Sequence, residues 1–473
     1  MPLDRTGRAR QRVRMIRALF SLPCLLAMVT SSLAAPLEVG MARTDITPPA
    51  GYRMRGYFNE RLATGTADPL FAKAIVLRQG DERAALVFCD LIAVSPQVAQ
   101  AARNRASNAT GIPAEHICIA ATHSHTSPMF SGSLRAFFHA RAMEKWGHDA
   151  FEMVDYPKTL ADGIVKAITD AHAALRPNTL RIAAGEQRGL AFNRRFHMKD
   201  GTVRFNPGVL NPDIVRTAGP TDPQLHVLSA HGADGKAVGA LAVFAMHLDT
   251  VGGTLWSGDY PHHMEQTMRA TLGAGFQMAF GAGTCGDINH VDVTVKERRL
   301  AAEIGRTLGE RAVKILAQSK PVTGPSLAVR RVVVEAPRQT FSAEAITAAA
   351  AKMDQIGGKL PFLAQVEINK VYDAGQRRGN TLPLEVQVFR LGADTAIVCL
   401  PGEVFVELGL AIKDRSPFPN TLVIELANED IAYVPTRKAF VEGSYEVVNS
   451  RVKSGAGEML VEAAAKLLLQ LRP

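Results

Sequence analysis

Short apolar runs alternate with stretches of helical period along most of this chain. Five runs of strand character, Ala72–Arg78, Ala84–Phe88, Leu180–Ala184, Leu225–Ala230 and Leu327–Val334, are rich in β-branched and aliphatic residues. Between them, Pro96–Ala106, Leu160–Leu175, Arg298–Ala317 and Ala345–Met353 carry apolar positions three and four residues apart, the spacing of one buried helix face. Ser95 before Pro96 and Ser342 before the last stretch supply N-cap signals. Leu384–Arg390 and Thr395–Leu400 read as a hairpin, so the sheets are expected to be mixed, not purely parallel. The alternation predicts an α/β fold of mixed β-sheets flanked by helices.

Four further apolar runs each end on a residue that can ligate metal. Ile117–Ala121 breaks into Thr122-His123-Ser124-His125-Thr126, and Gly239–Met246 runs into His247. Ala396–Leu400 is followed by Pro401-Gly402-Glu403, where Glu403 opens an amphipathic segment through Ile412. Leu422–Ala427 leads to Asn428, with Tyr433 five residues on. Open α/β sheets bind their ligands at the carboxyl ends of strands, where these residues fall. A His-x-His at a strand end sends both rings from one face, which suits one ligand and one catalytic or supporting partner. Two imidazoles and one carboxylate form a hydrolytic zinc set with a position left open for water. Spacing alone leaves open a second reading, four unrelated strand ends.

Seven motifs in order carry a resemblance. They are Gly40 to Pro49, Ala121 to His125, Phe192-Asn193-Arg194, Met246-His247, Gly286-Asp287, Pro401-Gly402-Glu403, and Tyr433-Val434-Pro435-Thr436 with Tyr445-Glu446. In these the chain resembles the neutral/alkaline, non-lysosomal ceramidase family over most of its length. The resemblance implies a zinc ion held by His123, His247, Glu403 and Tyr433, with His125, Arg194 and Tyr445 serving catalysis. It implies hydrolysis of an N-acyl amide, with a small-molecule or lipid-like N-acyl substrate. Two departures bear on that substrate. Family enzymes carry a serine in a Gly-Asp-x-Ser loop, and here Gly286-Asp287-Ile288-Asn289 puts Asn289 in its place. An asparagine amide donates a hydrogen bond to an oxyanion but does not relay a proton as a hydroxyl does. Family enzymes also continue into a C-terminal β-sandwich, whereas the helical segment Glu458–Leu471 follows the Tyr445 motif here. The zinc chemistry is therefore better supported than the ceramide substrate. Two rival readings stand beside it: a hydrolase of another amide or ester, glycan- or peptide-like, and a non-catalytic zinc-containing binding protein.

The charge balance adds an address. Six arginines and one aspartate precede a short apolar stretch from Ala18 to Val29 and the small residues Ser32-Leu33-Ala34-Ala35. That pattern predicts a signal peptide over 1–35, and thus export to the periplasm or outside the cell, with one large catalytic domain over 36–473. Without the leader the formal charge falls from +9 to about +4, too little and too dispersed for nucleic-acid binding. A residual positive balance is compatible with peripheral contact at an anionic membrane surface. The four remaining cysteines, Cys89, Cys118, Cys285 and Cys399, follow no disulfide or zinc-knuckle spacing. There is no Gly-x-Ser-x-Gly elbow, and the glycine-rich Gly281–Gly286 lacks the Gly-Lys-Ser/Thr of a phosphate loop. Asp287-Ile288-Asn289-His290 lacks the companion motifs of a metallophosphoesterase. Arg195 reads as surface charge, and Ser257–Pro261 as the edge of a pocket. The aromatic-rich stretch Met129–Tyr156 reads either as a cover for the site or as ordinary core packing.

Overall fold

Three sheets carry the molecule, and each ends in the same kind of unit. The computed structural model describes residues 35–472, so the expected leader, apart from its last residue, lies outside them. In the first sheet the strands run Ile117–Ala121, Glu82–Cys89, Phe71–Gln79, Glu38–Asp45 and Arg176–Pro177. The second runs Gln277–Ala282, Ala237–Phe244, Gln224–His231, Thr179–Glu186 and Lys320–Pro321. A third has four strands, Ala328–Pro337, Thr381–Arg390, Thr395–Cys399 and Asn420–Ile424. Long antiparallel pairs build the outer part of each sheet. One parallel pair closes each: Glu82–Cys89 with Ile117–Ala121, Ala237–Phe244 with Gln277–Ala282, and Thr395–Cys399 with Asn420–Ile424. Parallel neighbours need a crossover, and helices Pro96–Thr110, Tyr260–Leu272 and Val406–Arg415 supply it. The mixed α/β class expected from the sequence is the one observed.

The three edge strands meet. Ala121 donates its amide to Leu426 O at 3.2 Å, Asn428 to Ile119 O at 2.8 Å, and Glu425 to Ala282 O at 2.9 Å. The Asn428 side chain extends the seam, accepting from Ile119 N at 2.9 Å and donating to Gln387 at 2.8 Å. Each of these strands is buried along its length, which is why it reads as a continuous apolar run and not as an alternating one. Phe88, Ala120, Ile397 and Ile424 belong to the core between the sheets. A side chain at Gly281 would press on Ile424 and Phe88 at about 3.2–3.3 Å.

Helix boundaries follow the caps. Ser95 and Ser342 accept from the amides of Val98 and Ala345, as the sequence signalled. The long helix Ala301–Ala317 and its neighbour Tyr260–Leu272 pack closely through Gly305 and Gly309, where a Cβ would overlap Tyr260 O and Thr267. The amphipathic segment expected to open at Glu403 starts later. Glu403–Val404 is a two-residue strand, and the helix begins at Val406. All four cysteines of the described part are buried and free. Among the described residues no helix is long and apolar enough to cross a membrane.

Candidate active site

The carboxyl ends of the parallel strands point to one place, and the ligand candidates collect there. His123 leaves Ile117–Ala121 with a positive φ of 83°, and its Nδ1 contacts Ile92 O at 2.8 Å. His247 follows Ala237–Phe244, and its Nδ1 contacts Cys285 O at 3.1 Å. A carbonyl is only an acceptor, so each Nδ1 carries the proton and each Nε2 presents a lone pair inward. The two Nε2 atoms lie 2.9 Å apart. Glu403 Oε2 lies 3.3 Å from one and 3.5 Å from the other. This leaves three acceptor atoms converging with no proton among them, in a region where the rings are almost wholly buried. Such a set repels itself unless a cation sits within it, so the residues present fit a divalent metal. Burial, reinforced by Arg194 and the other two imidazoles, pushes the protonated form of His247 well out of reach. At Glu403 burial is outweighed by His123 when that ring is charged, by Arg194 and by the Tyr433 phenol, and the carboxyl lies below its usual range.

His125 stands at the edge of this set. Its ring is 5.0 Å from that of His123 and 5.5 Å from that of His247, and neither of its nitrogens has a hydrogen-bond partner. Asp249 Oδ1 approaches Nδ1 at 3.6 Å. Burial brings the His125 imidazole down to about 4 against the pull of that carboxylate. The loop carrying Asp249 is tied by Asp259, which accepts from the amides of Thr250 and Val251 at 3.0 Å each. Ser257, expected at a pocket edge, is instead buried: its carbonyl accepts from Ser124 Oγ at 2.6 Å and its hydroxyl reaches Asp68 at 2.7 Å.

Glu403 and Tyr433 are neighbours across a short parallel bridge, so two residues thirty apart act as one ladder step. Gly402 turns the chain there at φ 75°, and a Cβ would strike Ala432 O at 2.7 Å. Gly286 passes so close that a Cβ would lie 2.5 Å from Glu403 O. Tyr433 donates to the Tyr445 hydroxyl at 3.4 Å, with the rings 5.3 Å apart. Arg194 lies beneath this pair, its guanidinium carbon 5.4 Å from the Tyr433 ring and 5.9 Å from that of Tyr445. It is held by Glu446 at 2.9 Å and Gly286 O at 2.6 Å. Asn289 is brought to the same region, where it donates to Asn206 at 2.9 Å and accepts from Val291 N at 3.0 Å. One of its amide hydrogens is therefore committed within the fold.

Two cavities flank the cluster. One, of about 130 Å³, is lined by His123, His125, Glu403, Tyr433 and Tyr445. The other, of about 380 Å³, is lined by His247, Arg194, Asn289, His290 and Asp249. Tyr57 borders both. Met129 and residues 131–134 wall the first cavity, so the start of the aromatic stretch serves the site. Its far end, with Trp146 and Met153 exposed, does not.

Sequence reasoning missed several members of this centre. Arg195 is buried, not superficial, and pairs with Glu446 at 2.9 Å and Glu442 at 3.1 Å. Glu446 thus neutralises two guanidinium groups, and its only signal was its place beside Tyr445. Glu425 is fully buried, taking Val404 N at 2.6 Å and Cys285 Sγ at 3.0 Å. A lone carboxylate inside an apolar run was the available sign. Backbone strain also gathers here. His123, Asp259, Leu426, Asn428, Ala432 and Ser444 all have positive φ without being glycine, and each sits in a loop around the site.

This geometry has known counterparts. A family model for the neutral/alkaline non-lysosomal ceramidase, N-terminal, matches residues 37–289, more than half of the chain. The chain belongs to that family. It is 24% identical to the neutral ceramidase of Pseudomonas aeruginosa over 90% of this chain and 71% of that one. It is 30% identical to neutral ceramidase 3 of Arabidopsis thaliana over 33% of this chain and 21% of the relative. The crystal structure of the Pseudomonas aeruginosa enzyme superposes with a TM-score of 0.70 at 23% identity, covering 93% of this chain and 75% of that one. A ceramidase complexed with C2 gives 0.67 at 22% identity, over 93% and 76%. The fold is that of the neutral ceramidases, and membership makes this chain an amide-bond hydrolase. The family match ends at Asn289, so Glu403, Tyr433 and Tyr445 lie beyond it.

Proposed function

We propose that the chain is a zinc-dependent hydrolase of N-acyl amides, ceramidase-like in its chemistry, and that residues 36–473 act as one catalytic domain. The observation that carries this reading is the convergence of His123 Nε2, His247 Nε2 and Glu403 Oε2 with no proton between them. Those three residues would hold the ion, with the Tyr433 phenol as the fourth ligand. When bound, zinc supplies Lewis acidity, polarising the substrate carbonyl and making water a stronger acid. His125, unpaired and neutral at the cavity wall, takes the proton that water loses as its oxygen joins the acyl carbon. It returns that proton to the leaving nitrogen as the carbon–nitrogen bond breaks, which gives a carboxylic acid and an amine. Tyr445 donates toward the oxygen that gains charge, and Arg194 stabilises that charge from below the phenol pair. The Asn289 amide hydrogen not given to Asn206 is left to donate to the same oxygen. Family membership, the Pseudomonas relative and the complexed ceramidase all favour a lipid-like or small N-acyl substrate. Export to the periplasm or the medium fits the arginine-rich start of the sequence.

Elemental analysis of the mature chain beside a panel of N-acyl amides and esters tests this reading. One equivalent of zinc together with amide turnover is expected. A zinc-containing protein inert toward the whole panel would instead favour a binding function.

A further inference from the structure

The smaller cavity has a second wall that the hydrolytic step does not use. Arg55, Arg377 and Arg451 line it along with His123 and His125, together with Asp373, Asp430 and Asn449. Arg55 Nη1 pairs with Asp430 at 2.6 Å. Arg377 Nε and Arg451 Nε share one oxygen of Asp373, at 2.9 and 2.8 Å. Arg451 Nη1 is further bound to Asn449 O at 2.7 Å and to its Oδ1 at 2.9 Å, and Arg377 Nη2 to Asp430 O at 3.4 Å. The three guanidinium groups are thus set among Asp373 and Asp430, with Glu403 also acting on Arg55 from the same cavity lining. Among the described residues, Arg377 Nη1 and Arg451 Nη2 make no hydrogen bond, and both side chains border the cavity. Glu429, a further acid near Arg377, is pushed up to about 7 by burial and is only partly ionised at neutral pH.

Size points the same way. At about 130 Å³ this cavity is small against the roughly 300–1,000 Å³ usual for a drug-sized ligand. Its apolar lining, Phe58, Ile92, Met129, Leu134 and Ile431, is enough for a short acyl chain. The wall is also pre-organised. Arg55 directly precedes Gly56, where a Cβ would lie 2.3 Å from His125 O, so the guanidinium is placed by the segment that packs on the catalytic loop. The paired acids hold the forks in place, and a fixed fork loses little entropy when it takes a planar carboxylate.

We propose that Arg55, Arg377 and Arg451 form a carboxylate-binding subsite, and that the substrate is a short-chain N-acyl amide bearing a carboxylate, of the N-acyl amino acid class. This rests on the amide-hydrolase reading for its chemistry but not for its binding. Water adds to the acyl carbon, the carbon–nitrogen bond breaks and the nitrogen takes the proton, releasing a short carboxylic acid and an amino acid.

The test uses the full mature chain and two probes, N-butanoylglycine and its uncharged counterpart N-butanoylglycinamide. Calorimetric titration into metal-stripped protein reads binding, and steady-state rates on the zinc-loaded protein read turnover. The carboxylate should bind and turn over at least about tenfold better than the amide, as charge-assisted bonding to arginine requires. In Arg377→Gln that preference should fall to within about twofold. Arg377→Lys, which keeps the charge and guards against misfolding, should retain part of it. Equal binding of the two probes to the wild-type chain would overturn the subsite. A preference of the expected size in binding, with no cleavage of either probe, would uphold the subsite but overturn the N-acyl amino acid as the substrate.

Discussion

Among the described residues two clusters bring three ligating side chains within 4.8 Å of one another, and they are prepared for opposite purposes. In His123 and His247 the inward atoms are lone pairs, and among the described residues no cationic side chain is hydrogen-bonded to any of the three rings. In His139, Asp149 and Glu152 the charge is already answered. Asp149 takes Arg53 at 2.5 Å and His139 at 2.9 Å, and Glu152 takes Arg53 at 3.2 Å and Arg135 at 3.0 Å. Arg53 is nine-tenths and more buried and also lies 5.2 Å from the Phe151 ring. That second cluster fastens helix Gly132–Trp146 to strand Arg53–Arg55, whose end delivers Arg55 and Gly56 to the cavity lined by His123 and His125. Ligand geometry alone does not make a metal site. What distinguishes the two is whether the protein has supplied its own cation.

The comparison can be broken at either cluster. His247→Ala should lose the zinc and reduce turnover to background, because a set of few ligands with an open position tolerates no missing imidazole. Unchanged metal content by elemental analysis would remove His247 from the ligand set. His125→Ala should keep the zinc and lose about a hundredfold to ten-thousandfold in kcat. If it loses metal as His123→Ala is expected to, the proposed division of labour between the two rings fails. At the other cluster, Asp149→Asn should leave the zinc content untouched and lower stability by about 3 kcal/mol, since it strips a buried arginine of a close partner. Urea denaturation with parallel metal analysis checks both halves of that statement. The smallest effect sets the baseline. Lys166→Ala removes an exposed ion pair with Asp170 on the outer face of a helix and should cost less than about 0.5 kcal/mol. A larger loss there would mean that charge, not burial, governs these pairs.

The parts of the site readable in advance were those marked by a local contrast. His123, His247 and Glu403 each interrupt an apolar run, and the period of that run already says it is a strand. Glu446 and Arg195 show no such contrast. Each is a charge in a polar stretch, and their burial arises because they meet across some 250 positions of sequence. The arginine wall was hidden in the same way. Arg377 reads as one of a pair of surface arginines until Asp373, Asp430 and Arg451 are seen around it.

The sequence by itself determined the strands, the helix caps and the chemistry available at each strand end, because side-chain period and capping are properties of neighbouring residues. Only the tertiary structure decided that three separate parallel pairs would turn their carboxyl ends to one point. It alone placed Glu403 beside Tyr433 by a two-residue bridge and set the two histidine Nε2 atoms 2.9 Å apart. Those outcomes depend on the register between segments far apart in the chain, and register is fixed by packing, not by any residue's neighbours.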